Sequence, residues 1–256
     1  MTALTELPAG KYKKVESLIG DEYPNLAFVF GVLEGKLPGR VYVRNGDADV
    51  RTALVVTDSP FCFLLGSASE DMQHEVLNLL RVRRGAKLIY PKGVPVCDEL
   101  SGRHFEKVTR CHFTLPNPRS ALPEIETPSG YSLHRIDSKN FDKLNWKDAV
   151  LGIFGSSQRY LEQGYGFCLL HDGQVVSETH GVVGSKYVEL GIHTHPDYRG
   201  RGLPLSIMTE AARMGHEIGL RTIVSCDRET TGTISIARRL GMRFDYSYDV
   251  ARNVSP

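Results

Sequence analysis

Between Arg40 and Ala68 short apolar runs alternate with polar breaks: RVYVRN, TALVVTD and FCFLLGSA are rich in β-branched and aromatic residues and are separated by NGDAD and DSP. Runs of this kind bounded by turn-formers predict a meander of antiparallel strands. The period then changes. In EDMQHEVLNLLRVRRG, residues 70–85, Met72, Val76, Leu79 and Leu80 recur at helical spacing, and KLIYPK returns to a strand. From Leu115 to Gly130, LPNPRSALPEIETPSG holds four prolines among polar residues and neither period survives. A boundary is expected there, dividing the chain into residues 1–118, a linker at 119–128, and residues 129–256.

Beyond the boundary the pattern predicts a strand at YSLHRID and helices around KNFDKLNWKDAV and SSQRYLEQG. Three apolar strands follow, GFCLLHD, VVSETHGVVG and YVELGIHT, the first two joined at an HDGQ turn suited to a tight hairpin. A helix from about Leu203 to Gly219, the strand RTIVSCD, the helix TISIARRLG and the strand RFDYSYDV complete the order. The crossover from YVELGIHT through a helix to RTIVSCD requires a parallel pair, so the sheet should be mixed. Both halves read as α+β, and no internal repeat is visible by identity.

Composition narrows the function. Lys plus Arg number 31 against 30 for Asp plus Glu, a formal charge of +1, which offers no broad attraction for nucleic acid or a membrane. Any anion site must be local. The five cysteines are odd in number, widely spaced and form no CxxC pair, which argues against a disulfide framework or a zinc site and for a reducing cytoplasm. The opening MTALTELPAG lacks the basic start and apolar core of a secretion signal, and no run is long and apolar enough to suggest a membrane span.

One local anion site stands out. HTHPDYRGRGLP, His193 to Pro204, puts two glycines and two arginines between a strand and a helix. A loop feeding a helix start presents unpaired backbone N–H groups at the positive end of the helix dipole, which favours phosphate. Gly200 and Gly202 let backbone approach an anion, while Arg199 and Arg201 add charge. The same residues also suit a solvated glycine-rich turn. Neither the Lys-Ser/Thr pair of a Walker loop nor a full GxGxxG is present.

GIHTHPDYRGRGL, followed at the expected spacing by a helix, a strand and ARRLGM, resembles the signature of the GNAT acyltransferase superfamily. The resemblance covers about half the chain. The layout further resembles two-half bacterial GNAT proteins whose N-terminal half is degenerate and, more distantly, the glycine N-acyltransferases. The fold implied is mixed α/β: a GNAT acyl-CoA-binding catalytic domain at 129–256 behind a degenerate GNAT-like α+β domain. Acetyl-CoA or another acyl-CoA is implied as co-substrate, with no metal. Its pyrophosphate would sit on the amides of Arg199, Gly200, Arg201, Gly202, Leu203 and Pro204, its pantetheine arm along Ile192, His193 and Thr194, with Thr230 and Thr233 further contacts. Pro204 stands where the family has Gly or Ala and removes one N–H donor.

The resemblance places Glu189 within one residue of the family's strand glutamate and makes it the expected base, with His193, of the same strand parity, second. A bulge between them would scramble that parity. The family's helix tyrosine, the usual acid, reads Ala237 here, so the thiolate leaves unaided or takes its proton from water or from a side chain such as Ser235 or Tyr246. The acceptor implied is a primary amine of a small molecule or an amino acid, acylated directly in a ternary complex; a homodimer stays open. The competing reading is a non-catalytic CoA-binding regulatory protein, motivated by Pro204 and the missing tyrosine. Cys226 reads as a buried structural thiol, the RVRRG run as a basic helix end, and His104, His112, His134 and His180 show no metal-ligand spacing.

Overall fold

The computed structural model describes residues 4–20, 22–44, 50–94, 104–116 and 122–255. Twelve strands form one sheet. In chain order they are β1 Leu4–Leu7, β2 Gly39–Arg44, β3 Thr52–Thr57, β4 Phe61–Gly66, β5 Lys87–Ile89, β6 Phe105–Thr114, β7 Ser132–Arg135, β8 Gly164–His171, β9 Gln174–Gly184, β10 Tyr187–Thr194, β11 Arg221–Asp227 and β12 Arg243–Asn253. Six α-helices flank them: α1 Leu26–Leu33, α2 Glu70–Arg81, α3 Lys147–Phe154, α4 Ser157–Gln163, α5 Pro204–Glu217 and α6 Thr231–Arg239. A 3-10 stretch, Ala9–Leu18, precedes α1. The β8–β9 hairpin closes as its HDGQ turn requires, with Asp172 at φ 51° and Gly173 at φ 76°.

The strand order is β1-β2-β3-β4-β5-β12-β6-β11-β10-β9-β8-β7. Counted inward from either edge the two halves match. Each runs as four antiparallel neighbours, a helical crossover, α2 or α5, and a fifth strand parallel to the fourth. The sixth strand is exchanged: β6 of the first half pairs with β11, and β12 of the second pairs with β5. These two long strands then pair with each other across the centre. The repeat is thus one of topology, carried by sequences too far apart to show identity.

Three elements lie outside the sequence expectation. α1, LAFVFGVL, has seven of its eight residues buried, so its apolar run carries no helical period. β6 is disguised because Arg110 and His112, both buried, occupy positions where a strand pattern expects apolar groups. β1 is a four-residue edge. On one face of the sheet α2 packs Met72, Val76, Leu77 and Leu80 over Leu64 and Leu88, while α5 packs Leu205, Met208, Ala211 and Ala212 over Val188, Leu190 and Val224. On the other face α1, α3 and α4 share one core with Phe63, Ile89 and Val182. α1 crosses the join, touching β9 and β10 of the second half.

Candidate active site

β10 pairs with β9 without a break from Tyr187↔Gly184 to Thr194↔Ser177, so no bulge disturbs its parity. Val188 and Leu190 face α5; Glu189, Gly191 and His193 therefore face the α1 and α3 layer. On its other edge β10 pairs with β11 only as far as Glu189↔Ile223. The two strands then part, because β11 continues along β6 while β10 stays with β9. Between them opens a cavity of about 630 Å³, walled mostly by apolar side chains, including Phe28, Phe61, Trp146 and Ile192.

Glu189 lies at the start of this opening and is 6% exposed. Asn25 Nδ2 donates to its Oε1 at 2.5 Å. Its other oxygen, Oε2, is buried and accepts no hydrogen bond among the described residues. Burial pushes the carboxyl up to about 7, with Arg110, Ser225 and Asn25 restraining the rise. Asn25 is itself fixed: it caps α1 in the left-handed region, φ 55°, a conformation asparagine tolerates, and its Oδ1 accepts from the Tyr248 hydroxyl at 2.8 Å. The Tyr248 oxygen accepts from Arg110 Nε at 3.0 Å, and Arg110 continues to the Ser225 carbonyl at 3.0 Å and to Asp227. Lys87 Nζ reaches Asp227 at 3.5 Å. Carboxylate, amide, phenol, guanidinium and carboxylate thus form one chain across both halves, buried at its Glu189 end and half-buried at Asp227.

The other expected site residues fall into two groups. Ile192, Thr230 and Thr233 line the cavity with Glu189. His193 does not: four residues on, about 13 Å from Glu189 at the strand rise, its ring stacks on Trp146 with centroids 5.0 Å apart. Burial lowers its pKa. Thr194 turns into the loop, where its carbonyl accepts from Arg199 Nε at 3.2 Å. Ser235 is exposed, Tyr246 stacks on His112 away from the cavity, and neither lines it. Ala237, on the inner side of α6, is fully buried, so a tyrosine there would meet packed core. Cys226 does line the cavity, but burial holds its thiol at about 11.

Beyond β10 the loop takes the shape an anion site needs. Gly200 at φ 76° and Gly202 at φ 72° both sit in the left-handed region, and a Cβ on Gly202 would meet nothing closer than Arg239 at 3.8 Å, so conformation rather than space selects glycine. The Arg199 amide already donates to the Pro196 carbonyl and Pro204 has none, which leaves the four consecutive N–H groups of Gly200, Arg201, Gly202 and Leu203 without a partner among the described residues. α5 begins with no side-chain cap and no acidic residue in its first turn. Arg201 is held by the Asp197 carbonyl at 3.0 Å and lies 5.0 Å over the Tyr198 ring. These residues fit a pyrophosphate: four consecutive N–H groups stand without a partner among the described residues, two arginines belong to the same loop, and no acidic residue of the first turn of α5 competes for them.

The sequence alone missed Asn25, Arg110, Tyr248 and Trp146. Asn25 had a local signal, an asparagine directly before an apolar run, as at a helix start. Arg110 and Tyr248 are placed by pairings more than a hundred residues apart, and Trp146 by Glu178, 32 residues on, which accepts from its amide.

The GNAT acetyltransferase family matches residues 18–251 of the chain. YdfB, an uncharacterized N-acetyltransferase of Bacillus subtilis (strain 168), is 24% identical over 264 residues, covering 98% of each chain. Among solved structures, a GCN5-related N-acetyltransferase-like protein from Streptococcus suis 89/1591 is similar with a TM-score of 0.76 at 22% identity, covering 96% of this chain and 99% of that one. A tandem GNAT protein from the clavulanic acid biosynthesis pathway is similar at 0.58 and 15% identity, over 99% and 98% of the two chains. The two structures share the fold, and the family match spans both halves: the chain belongs to the GNAT acetyltransferase family and is an N-acetyltransferase of that family.

Proposed function

We propose that the protein moves an acetyl or short acyl group from acyl-CoA to the primary amine of a small molecule or amino acid, by direct attack in a ternary complex. The observation that carries this reading is Glu189, a buried carboxyl with one oxygen held by Asn25 and the other free, poised near neutrality where β10 and β11 part. The free amides of residues 200–203 would hold the pyrophosphate, and the unpaired edge of β10 would take the pantetheine arm. Glu189 Oε2 takes the proton released as the amine nitrogen bonds the acyl carbon. The sulfur leaves with the electrons of the broken C–S bond and takes its proton from water; Ser235 and Tyr246, the side chains considered for that role, do not line the cavity. A relay through Cys226 is disfavoured by its raised thiol pKa. The buried, unpaired thiols suit a cytoplasmic setting.

Thiol release from acetyl-CoA across a panel of amines tests the transfer; CoA binding with release for no acceptor would instead leave the regulatory reading. Glu189 is tested by Glu189→Gln. A base must be ionised, so wild-type kcat/KM should climb through pH 7, the value to which burial raises the group. The variant should lose roughly a hundredfold or more in turnover near neutrality, lose that limb, and keep its CoA affinity. Stability should move the other way. A carboxyl raised from 4.5 to about 7 stabilises the fold fully below pH 4.5 and loses that contribution as pH rises through 7. Glu189→Gln, neutral throughout, should therefore gain in Tm relative to wild type between pH 5 and pH 8. An unchanged pH–rate profile, with collapse in His193→Ala, would move the role to the histidine.

A further inference from the structure

Around the cavity beside Glu189 the charges are unevenly answered. Its ionisable lining, apart from Cys226, consists of Asp58, Arg110, Asp148, His180, Glu189 and Asp227. Arg110, the single guanidinium or ammonium among the described lining residues, is spent: its three nitrogens donate to Tyr248, the Ser225 carbonyl and Asp227. His180 is engaged at both ring nitrogens, with Tyr160 at 3.1 Å and Glu178 at 3.4 Å. Lys87, behind the wall, is committed to Asp227. The exposed carboxylates Asp58 and Asp148 at the rim have no ion pair within 4.0 Å among the described residues; the cation that feels Asp58, Arg40, sits 3.7 Å from Glu6. The apolar lining includes Phe28, Phe61, Trp146, Val150 and Ile153.

We infer that the acceptor is an apolar primary amine that carries no carboxylate, drawn in as a cation past Asp58 and Asp148, its hydrocarbon body packed on the aromatic wall, one proton shed to water, and its neutral nitrogen delivered to the unpartnered Glu189 Oε2. The inference rests on the acyl-transfer reading and narrows it. An amino acid would bring a carboxylate into a site whose cation is saturated and whose remaining free charges are negative, so its desolvation would go unanswered. An amine of the same side chain brings only the attractive charge. Long-range attraction by the exposed rim carboxylates acts at the encounter and is screened by salt. Buried Glu189 supplies the independent mark of a ligand: a side chain more than nine-tenths buried, lining the cavity with one oxygen unmet by the protein.

Matched pairs differing by the carboxylate test this: phenethylamine against phenylalanine, and isopentylamine against leucine, each with acetyl-CoA and the full-length enzyme. In each pair the amine should exceed the amino acid in kcat/KM by tenfold or more, equivalent to about 1.4 kcal/mol. In D58N/D148N the KM for phenethylamine should rise roughly threefold to tenfold, its salt dependence should flatten, and the gap within each pair should narrow. Asp172→Asn, at the tip of the β8–β9 hairpin, should move none of these. Amino acids matching or beating their amines would overturn the inference while leaving acyl transfer intact. Calorimetry of the same pairs separates the two failures: phenethylamine bound in preference to phenylalanine, with no turnover of either, would keep the cavity assignment and remove the transferase reading. Equal or no binding of both would remove the assignment itself.

Discussion

The two crossovers of this protein share one topology and opposite chemistry. In the first half β4 leads through α2 to β5; in the second β10 leads through α5 to β11, and each parallel ladder holds three pairs. At the third pair the first half has Phe63 and the second Glu189. Phe63 is sealed in the core. Past that pair the first wedge is plugged: the Tyr23 hydroxyl donates to the Leu64 carbonyl at 2.8 Å and lies 3.1 Å from that of Ile89, tying β4 and β5 together where β10 and β11 stand open. The helix starts differ in the same sense. α2 is capped by Ser69, which accepts from the Met72 amide at 3.4 Å, carries Glu70 and Asp71 in its first turn, and its approach loop spends the Ser67 amide on Arg51. α5 has no side-chain cap, no acid there, and four free amides ahead of it. A helix N-terminus is an anion site only when its own sequence leaves it unsatisfied. The first crossover is closed by its own side chains; the second is left open.

Three changes bear on that contrast, from the largest effect to the smallest. Gly202→Val puts a β-branched residue at φ 72°, where only the glycine backbone rests without strain, and should weaken CoA binding by tenfold or more, read by calorimetry on the folded variant. Unchanged affinity would break the assignment of the open crossover to phosphate. Tyr23→Phe removes the plug and leaves the buried Leu64 carbonyl short of its donor; a loss of about 1–3 kcal/mol in urea unfolding is expected, with CoA affinity untouched. Ser69→Ala should cost about 1 kcal/mol by the same measurement and likewise leave CoA affinity unchanged. Loss of CoA binding in either would mean that the halves are coupled more tightly than their separate wedges imply.

The exchanged strands sharpen the comparison further. We propose that limited proteolysis cuts first within the proline-rich stretch around 122–130, which carries no helix or strand; positions 119–121 of the expected linker lie outside the described residues. Because β6 stays between β11 and β12, the nicked fragments should co-elute on gel filtration and separate only in denaturant. Separation under native conditions would show that the halves hold together through the linker rather than through the sheet.

Local pattern was enough for much of this molecule. The second-half elements, the loop with its two left-handed glycines and the glutamate on β10 all follow from periodicity and turn chemistry within a dozen residues, because hydrophobic spacing and φ preferences are local properties. The parity of Glu189 and His193 was legible as well, although only an unbroken β9–β10 ladder makes it hold. What tertiary structure decided lies in long-range pairings. β6 is a central strand because β11 and β12 satisfy its backbone and Asp227 answers Arg110, which no neighbour in sequence announces. Glu189 owes its surroundings to Asn25, 164 residues away, which holds one oxygen, and to burial, which leaves the other without a partner among the described residues. A carboxyl's acidity is set by its surroundings, and those surroundings here are assembled from both halves of the chain.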